Sequence, residues 1–213
     1  MRYTLRALVC AGLLAVGSGP GRSDEAPSDK ESASFFNGKN LDGWEGLTDY
    51  WSAKDGALVG DTGKGIKFNT FLCSKKKYSD FELSFQVRLT NGKGNSGVQI
   101  RSEIFKMDEY AVKGPQCDIG GGFWGSLYGE QFGGMMKAAP EKVVKEVLKP
   151  ADFNDYYIKC VGKHVTIKLN GKTTVDDDFP KMPETGIIAW QLHAGGPMEV
   201  TFKNIKFRQL SNK

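Results

Sequence analysis

Three short segments concentrate the side chains capable of acid–base and hydrogen-bonding chemistry. In NSGVQIRSE, residues 95–103, Gln99, Arg101 and Glu103 share one strand parity, while Val98 and Ile100 hold the other. In GPQCDIG, Gln116 and Asp118 alternate with Cys117 and Ile119, and in AWQLHAGG, Gln191 and His193 alternate with Trp190 and Leu192. If these three strands are neighbours, one face gathers four carboxamide, guanidinium, carboxyl and imidazole chemistries. Amides and a guanidinium bind hydroxyls in planar, two-point fashion, and carboxyl and imidazole groups exchange protons near neutrality. The competing reading is a solvated sheet face held by an Arg–Glu–Asp network. Parity alone leaves both open.

A glycine-rich stretch, GGGFWGSLYGEQFGG, places Phe123, Trp124, Tyr128 and Phe132 on one long loop, with Glu130 among them. Aromatic rings on a loop beside a sheet form a platform for stacking on sugar faces. The same loop could instead fold back and cap the core. Glu103, Asp118 and Glu130 supply carboxyl groups for acid–base work, but no spacing selects a pair. Other strand faces, Glu82-Ser84-Gln86-Arg88 and His164-Thr166-Lys168, read as ordinary surface. There is no GxSxG, GxxxxGK[ST] or HExxH, and no GxGxxG opening a helix.

Positioning such groups falls to strands. Alternating segments cover 51–59, 70–74, 81–89, 96–104, 116–119, 156–161, 164–169, 172–175, 186–193 and 199–208. Asp55-Gly56, Asn91-Gly92, Gly162-Lys163 and Asn170-Gly171 separate them, and HVTIKLNGKTTV reads as a hairpin closed by Asn-Gly. Only EKVVKEVLK, residues 141–149, looks helical. So many short strands exceed what one small sheet can bury, which predicts an all-β, two-sheet antiparallel β-sandwich of jelly-roll type.

The N-terminus carries Arg2 and Arg6 before an apolar run from Ala7 to Val16 and a Gly/Pro break. This predicts a signal peptide over residues 1–22 and a periplasmic or secreted protein. A flexible linker follows over 23–33, and one domain over 34–210. Removing Arg2, Arg6 and Arg22 takes the 29 basic residues to 26 against 25 acidic, so the net charge of +4 falls to +1. No nucleic-acid partner is expected, and no later segment is apolar enough for membrane insertion. Cys73, Cys117 and Cys160 lack CxxC spacing; one disulfide with a spare thiol, or three buried thiols, are the alternatives.

The ordered series FFNGKNLDGW, DGALVG, NSGVQIRSE, Gln-x-Asp, GSLYGE, LNGK and GIIAWQLHAGGPMEVTFKNIKFRQL resembles the 3-keto-disaccharide hydrolase family, also described as 3-keto-glucoside lyase/hydratases. The resemblance implies a concanavalin A-like, lectin/glucanase fold and a glycoside or oligosaccharide substrate oxidised at C3. A C3 ketone acidifies the C2 proton, so a base can remove it, the anomeric substituent leaves by elimination, and water adds back. That chemistry assigns His193 or Glu103 as base, Arg101 to the enolate oxygen, and Asp118 as second acid/base or orienter. Gln99, Gln116 and Gln191 would hold hydroxyls, with Trp124, Tyr128 and Glu130 completing the substrate surface. A divalent cation on Glu103, Asp118 and His193 could take Arg101's place as electrophile. The resemblance also brings a departure: many relatives read like Glu-x-Gln and then an acid where this chain has Gln116-Cys117-Asp118, and if the usual acid stands at position 116, this chain has moved or lost it. The rival reading is a non-catalytic carbohydrate-binding module, because this fold serves lectins as readily as enzymes.

Overall fold

The structure, a computed structural model, describes residues 28–210; the expected signal peptide lies outside the described residues. Two antiparallel sheets of seven strands pack face to face. From edge to edge the first contains β1 (Trp44–Glu45), β4 (Thr70–Tyr78), β13 (Gly186–Leu192), β6 (Asn95–Lys106), β7 (Ala111–Gly120), β8 (Leu127–Glu130) and β9 (Gly134–Lys137). The second contains β12 (Lys172–Asp178), β11 (His164–Leu169), β10 (Asn154–Val161), β5 (Phe81–Leu89), β14 (Glu199–Gln209), β3 (Ala57–Asp61) and β2 (Trp51–Lys54). The three strands singled out above are β6, β7 and β13, and they are adjacent, with β6 in the middle.

Period-two alternation builds the core. On β5, Phe81, Leu83, Phe85, Val87 and Leu89 are buried and meet the first sheet, while Ser84, Gln86 and Arg88 point away. Each fully buried side chain of this kind contributes about 1.5–3 kcal/mol of transfer free energy. Trp190 lies at the centre, with the rings of Phe202 at 4.6 Å, Phe85 at 5.4 Å and Trp44 at 6.0 Å between centroids. Asn170 and Gly171 both take positive φ, closing the β11–β12 hairpin as its Asn-Gly pair predicts. The predicted 51–59 strand is broken by Asp55-Gly56 into β2 and β3.

Two helices accompany the sheets. α2 (Glu141–Val147) falls inside the predicted helical stretch. α1 (Asp29–Phe35) occupies residues expected to belong to the linker. Ser28 and Glu31 form a capping box at its start, and Phe35 stacks on Phe207 at 4.2 Å. One aromatic side chain thus anchors residues 29–35 to the core. Cys73, Cys117 and Cys160 are free and buried, which settles their alternatives in favour of thiols.

Candidate functional site

On the outer face of the first sheet, register brings three amides and a carboxyl together. Ala189 pairs with Gln99 and Gln99 with Gln116, while Asp118 pairs with Gly97 one step along. Gln116 Nε2 donates to Asp118 Oδ1 at 2.8 Å and to Gln191 Oε1 at 3.3 Å, and Gln99 Nε2 donates to Gln116 Oε1 at 3.0 Å. Ser102 Oγ donates to Gln99 Oε1 at 2.6 Å. Gln99, Gln116, Asp118, Gln191 and Ser102 are all buried, although they face away from the hydrophobic core. Gly97 makes the cluster possible, because a Cβ there would sit 2.6 Å from Gln116 Cδ.

The far end of the β6–β7 hairpin folds onto the neighbouring strands of this face. Ile104, Tyr110 and Val112 from its far end pack on Phe71, Cys73, Ile187 and Ala189, and Thr70 Oγ1 donates to the Glu109 carbonyl at its tip. The bend starts at Arg101, whose φ of 48° marks a bulge: five residues of β6, Gln99 to Glu103, oppose four of β7, Lys113 to Gln116. Opposite it, Gly114 approaches so closely that a Cβ would meet Ser102 Oγ at 2.3 Å.

The bulge also overturns part of the parity reading. Past it, Ser102 and Ile104 continue the face that Gln99 began, and Arg101 and Glu103 leave it. Arg101 instead turns between the sheets. Its Nε donates to the Ser79 carbonyl at 2.5 Å, Nη1 to the Gly162 and Pro183 carbonyls, and Nη2 to Asp80 at 2.6 Å. Glu103 is exposed and paired with Lys113 at 3.0 Å. Trp124 is likewise removed from any sugar platform, since it is buried in the main core. Among the described residues no three His, Cys, Asp or Glu side chains converge to hold a metal ion, so the Glu103, Asp118 and His193 set is not assembled.

Tyr128 and Glu130 stay on the outer face, Tyr128 opposite Gln116. Glu130 Oε1 accepts from Asn69 Nδ2 at 3.3 Å. Asn69 precedes β4, which three strands separate from β8; on a flat sheet that is about 19 Å. The sheet therefore curls enough for Asn69 and Glu130 to meet. The Ala194 N–H donates to Asn69 Oδ1 at 2.8 Å, which orients the Asn69 amide toward Glu130. His193, half-buried just past β13, donates Nδ1–H to the Ala194 carbonyl at 2.7 Å, leaving Nε2 as the unprotonated nitrogen of the neutral ring. No hydrogen bond joins His193 to Asp118 among the described residues. Asn69 and Ser102 escaped the sequence reading: Asn69 resembles any turn residue, and Ser102 reaches this face only through a bulge that no local motif announces.

Within this cluster the altered group is Asp118. Burial pushes its carboxyl up to about 7; the Gln116 donor opposes this, and the charge of Glu130 adds to it. Its backbone is fixed on both sides, by Asp118 N–H to the Ser126 carbonyl at 2.9 Å and by the Tyr156 phenol, which donates to the Asp118 carbonyl at 3.0 Å. A carboxyl so placed takes up and releases a proton near neutrality, beside amides suited to hydroxyl groups.

The model of the 3-keto-alpha-glucoside-1,2-lyase-like domain matches residues 31–208. The chain belongs to that family. A Parabacteroides distasonis protein described as a candidate glycosyl hydrolase is 26% identical, with a TM-score of 0.58 over 81% of this chain and 96% of that one. A second such protein from the same organism is 20% identical, with a TM-score of 0.62 over 86% and 98% of the two chains. The carbohydrate-binding module CBM66 from Bacillus subtilis, 14% identical with a TM-score of 0.57 over 78% and 96%, shares the fold. No curated protein matches the chain.

Proposed function

We propose that this chain is an exported enzyme, periplasmic or secreted, that cleaves 3-keto-glycosides by C2 proton abstraction, elimination of the anomeric substituent and hydration. The observation that carries the reading is a buried carboxyl poised near pH 7 among three amides, in a member of a 3-keto-glucoside lyase-like family. Asp118 and His193 are the acid–base pair. His193 Nε2 is free to accept a proton because Nδ1–H is engaged by the Ala194 carbonyl. With Arg101 occupied elsewhere, amide N–H groups take over the task of meeting the ketone oxygen, and Gln191 Nε2, buried without a protein partner, is the donor at hand. Tyr128 and Glu130 contact the sugar.

The test is cleavage of a 3-keto-glucoside with a chromogenic leaving group by wild type, Asp118→Asn and His193→Ala. Loss of one proton-transfer group is expected to lower kcat by about 10²–10⁴-fold. Wild-type rates in both variants would remove these residues from the mechanism. Sugar binding without turnover by wild type would favour a carbohydrate-binding module, the reading supported by the fold shared with CBM66.

A further inference from the structure

The amide cluster can be hydrogen-bonded in two directions. An amide keeps its shape on a half-turn that exchanges oxygen and nitrogen, so a row of amides can run either way. In the forward direction Ser102 Oγ–H donates to Gln99, Gln99 to Gln116, and Gln116 to Asp118, the one direction open when Asp118 is a carboxylate, which can only accept. Turned over, Gln99 Nε2 meets Ser102 Oγ at 2.6 Å and the Pro115 and Gly114 carbonyls at 3.2 and 3.3 Å, which the forward direction sets against the Gln99 oxygen, while the turned oxygen faces Gln116 Oε1 at 3.0 Å. Gln116 must then present its nitrogen to Gln99 and its oxygen to Asp118, which becomes the donor and must carry a proton. Ser102 can serve both directions, because its hydroxyl also reaches the Ile100 carbonyl at 3.1 Å.

Gln191 lies on a branch of this chain. Forward, its oxygen accepts from Gln116 and its buried Nε2 has no protein partner. Reversed, Gln116 shows it an oxygen, so Gln191 must turn its N–H inward and its carbonyl to the unpartnered side. We propose that Gln99, Gln116 and Gln191, with Ser102 as terminus, form a reversible hydrogen-bond relay that ties what Gln191 presents to the protonation of Asp118. A carboxylate at Asp118 requires the N–H donor at Gln191, whereas a carboxylic acid opens the reverse direction, which the Gly114 and Pro115 carbonyls favour at Gln99, and with it an acceptor at Gln191. In the first state the site offers base and donor together, as a ketone substrate requires; in the second it offers acid and acceptor, as a hydroxyl requires. This use in catalysis rests on the function proposed above, whereas the relay does not.

The groups around Asp118 leave its proton to govern the relay. β6 places Gly97 opposite it, β13 contributes Gln191, β8 contributes Glu130, whose charge favours the protonated form, and the second sheet contributes the Tyr156 phenol on its backbone carbonyl. His193 makes its ring contact with Ala194.

The experiment is NMR titration of the full-length protein labelled with ¹⁵N at glutamine side chains and ¹³C at aspartate carboxyls, without substrate. The Gln99, Gln116 and Gln191 amide signals are expected to shift together, with the midpoint of the Asp118 carboxyl. In Gln116→Met the Gln99 and Gln191 signals should lose that transition while Asp118 still titrates. Ser102→Ala gives a signed check from the far end of the chain. It removes the only donor to Gln99 in the forward direction and leaves the reverse acceptors in place, so the Asp118 midpoint should rise by about 0.5–1 pH unit. Static Gln99 and Gln191 signals through the Asp118 transition, their persistence in Gln116→Met, or an unchanged or lowered midpoint in Ser102→Ala would each overturn the relay. None of these readouts depends on glycoside cleavage.

Discussion

Arg101 and Asp118 are both nearly inaccessible to solvent, and their surroundings give them opposite chemistries. Arg101 has charge compensation from Asp80 and three carbonyls, a fork geometry that lysine cannot reproduce. Arg101→Met should cost about 3–5 kcal/mol in urea denaturation by leaving those partners unmatched, while kcat of the folded fraction stays near wild type. A large fall in kcat at unchanged stability would return Arg101 to the site. Asp118 has no cation to oppose its burial. Its folded carboxyl binds a proton up to about pH 7, whereas the unfolded one loses it near 3.8. Between those values the folded state holds more protons, so stability from this group is present at low pH and falls as pH rises through 7. The full difference is on the order of 4 kcal/mol above pH 8. Asp118→Asn should therefore be less stable than wild type by little at pH 4, and more stable than it at pH 8, as measured by denaturation midpoints across pH. A parallel pH dependence in the two proteins would contradict the buried, uncompensated carboxyl.

The strand elements show how far alternation carries and where it fails. Gln116, Asp118 and Gln191 sit where period-two reading puts them, because β7 and β13 remain regular around those positions. β6 gains one residue at Arg101, and a bulge of one residue exchanges the faces of everything after it. Nothing local in the sequence announces an arginine at positive φ; its cause is tertiary, the fit of the guanidinium between the turns at Ser79-Asp80 and Gly162. Trp124 follows the same logic, because a glycine-rich loop can either present or bury its aromatics and only the packed core decides. Gly97 is an element-scale requirement of another kind. Gly97→Ala would drive a methyl into Gln116 and should destabilise the fold by about 1–3 kcal/mol. It should also raise the Asp118 midpoint, since the Gln116 donor is what holds it down. A lowered midpoint in a ¹³C titration would mean that Gln116 plays no such part.

At the scale of the whole molecule, the two sheets are joined by one continuous core, whereas the outer face of the first sheet carries a smaller cluster closed by the β6–β7 hairpin. The three thiols report on these layers separately. Cys117 and Cys160 belong to the main core, on strands of opposite sheets, and Cys73 belongs to the outer cluster. Burial raises all three thiols, Cys160 up to about 11, so none is a ready nucleophile in the folded protein. The hairpin can lift without separating the sheets, because Ile104, Tyr110 and Val112 are its contribution to the outer cluster and Thr70–Glu109 ties down its tip. Pulsed alkylation at increasing urea, mapped by peptide mass spectrometry, should therefore label Cys73 before Cys117 and Cys160, which should react together at the global transition. Simultaneous labelling of all three would make the hairpin part of the same cooperative unit as the core. Earlier labelling of Cys117 or Cys160 would mean that the sandwich opens before the face that holds the amide cluster.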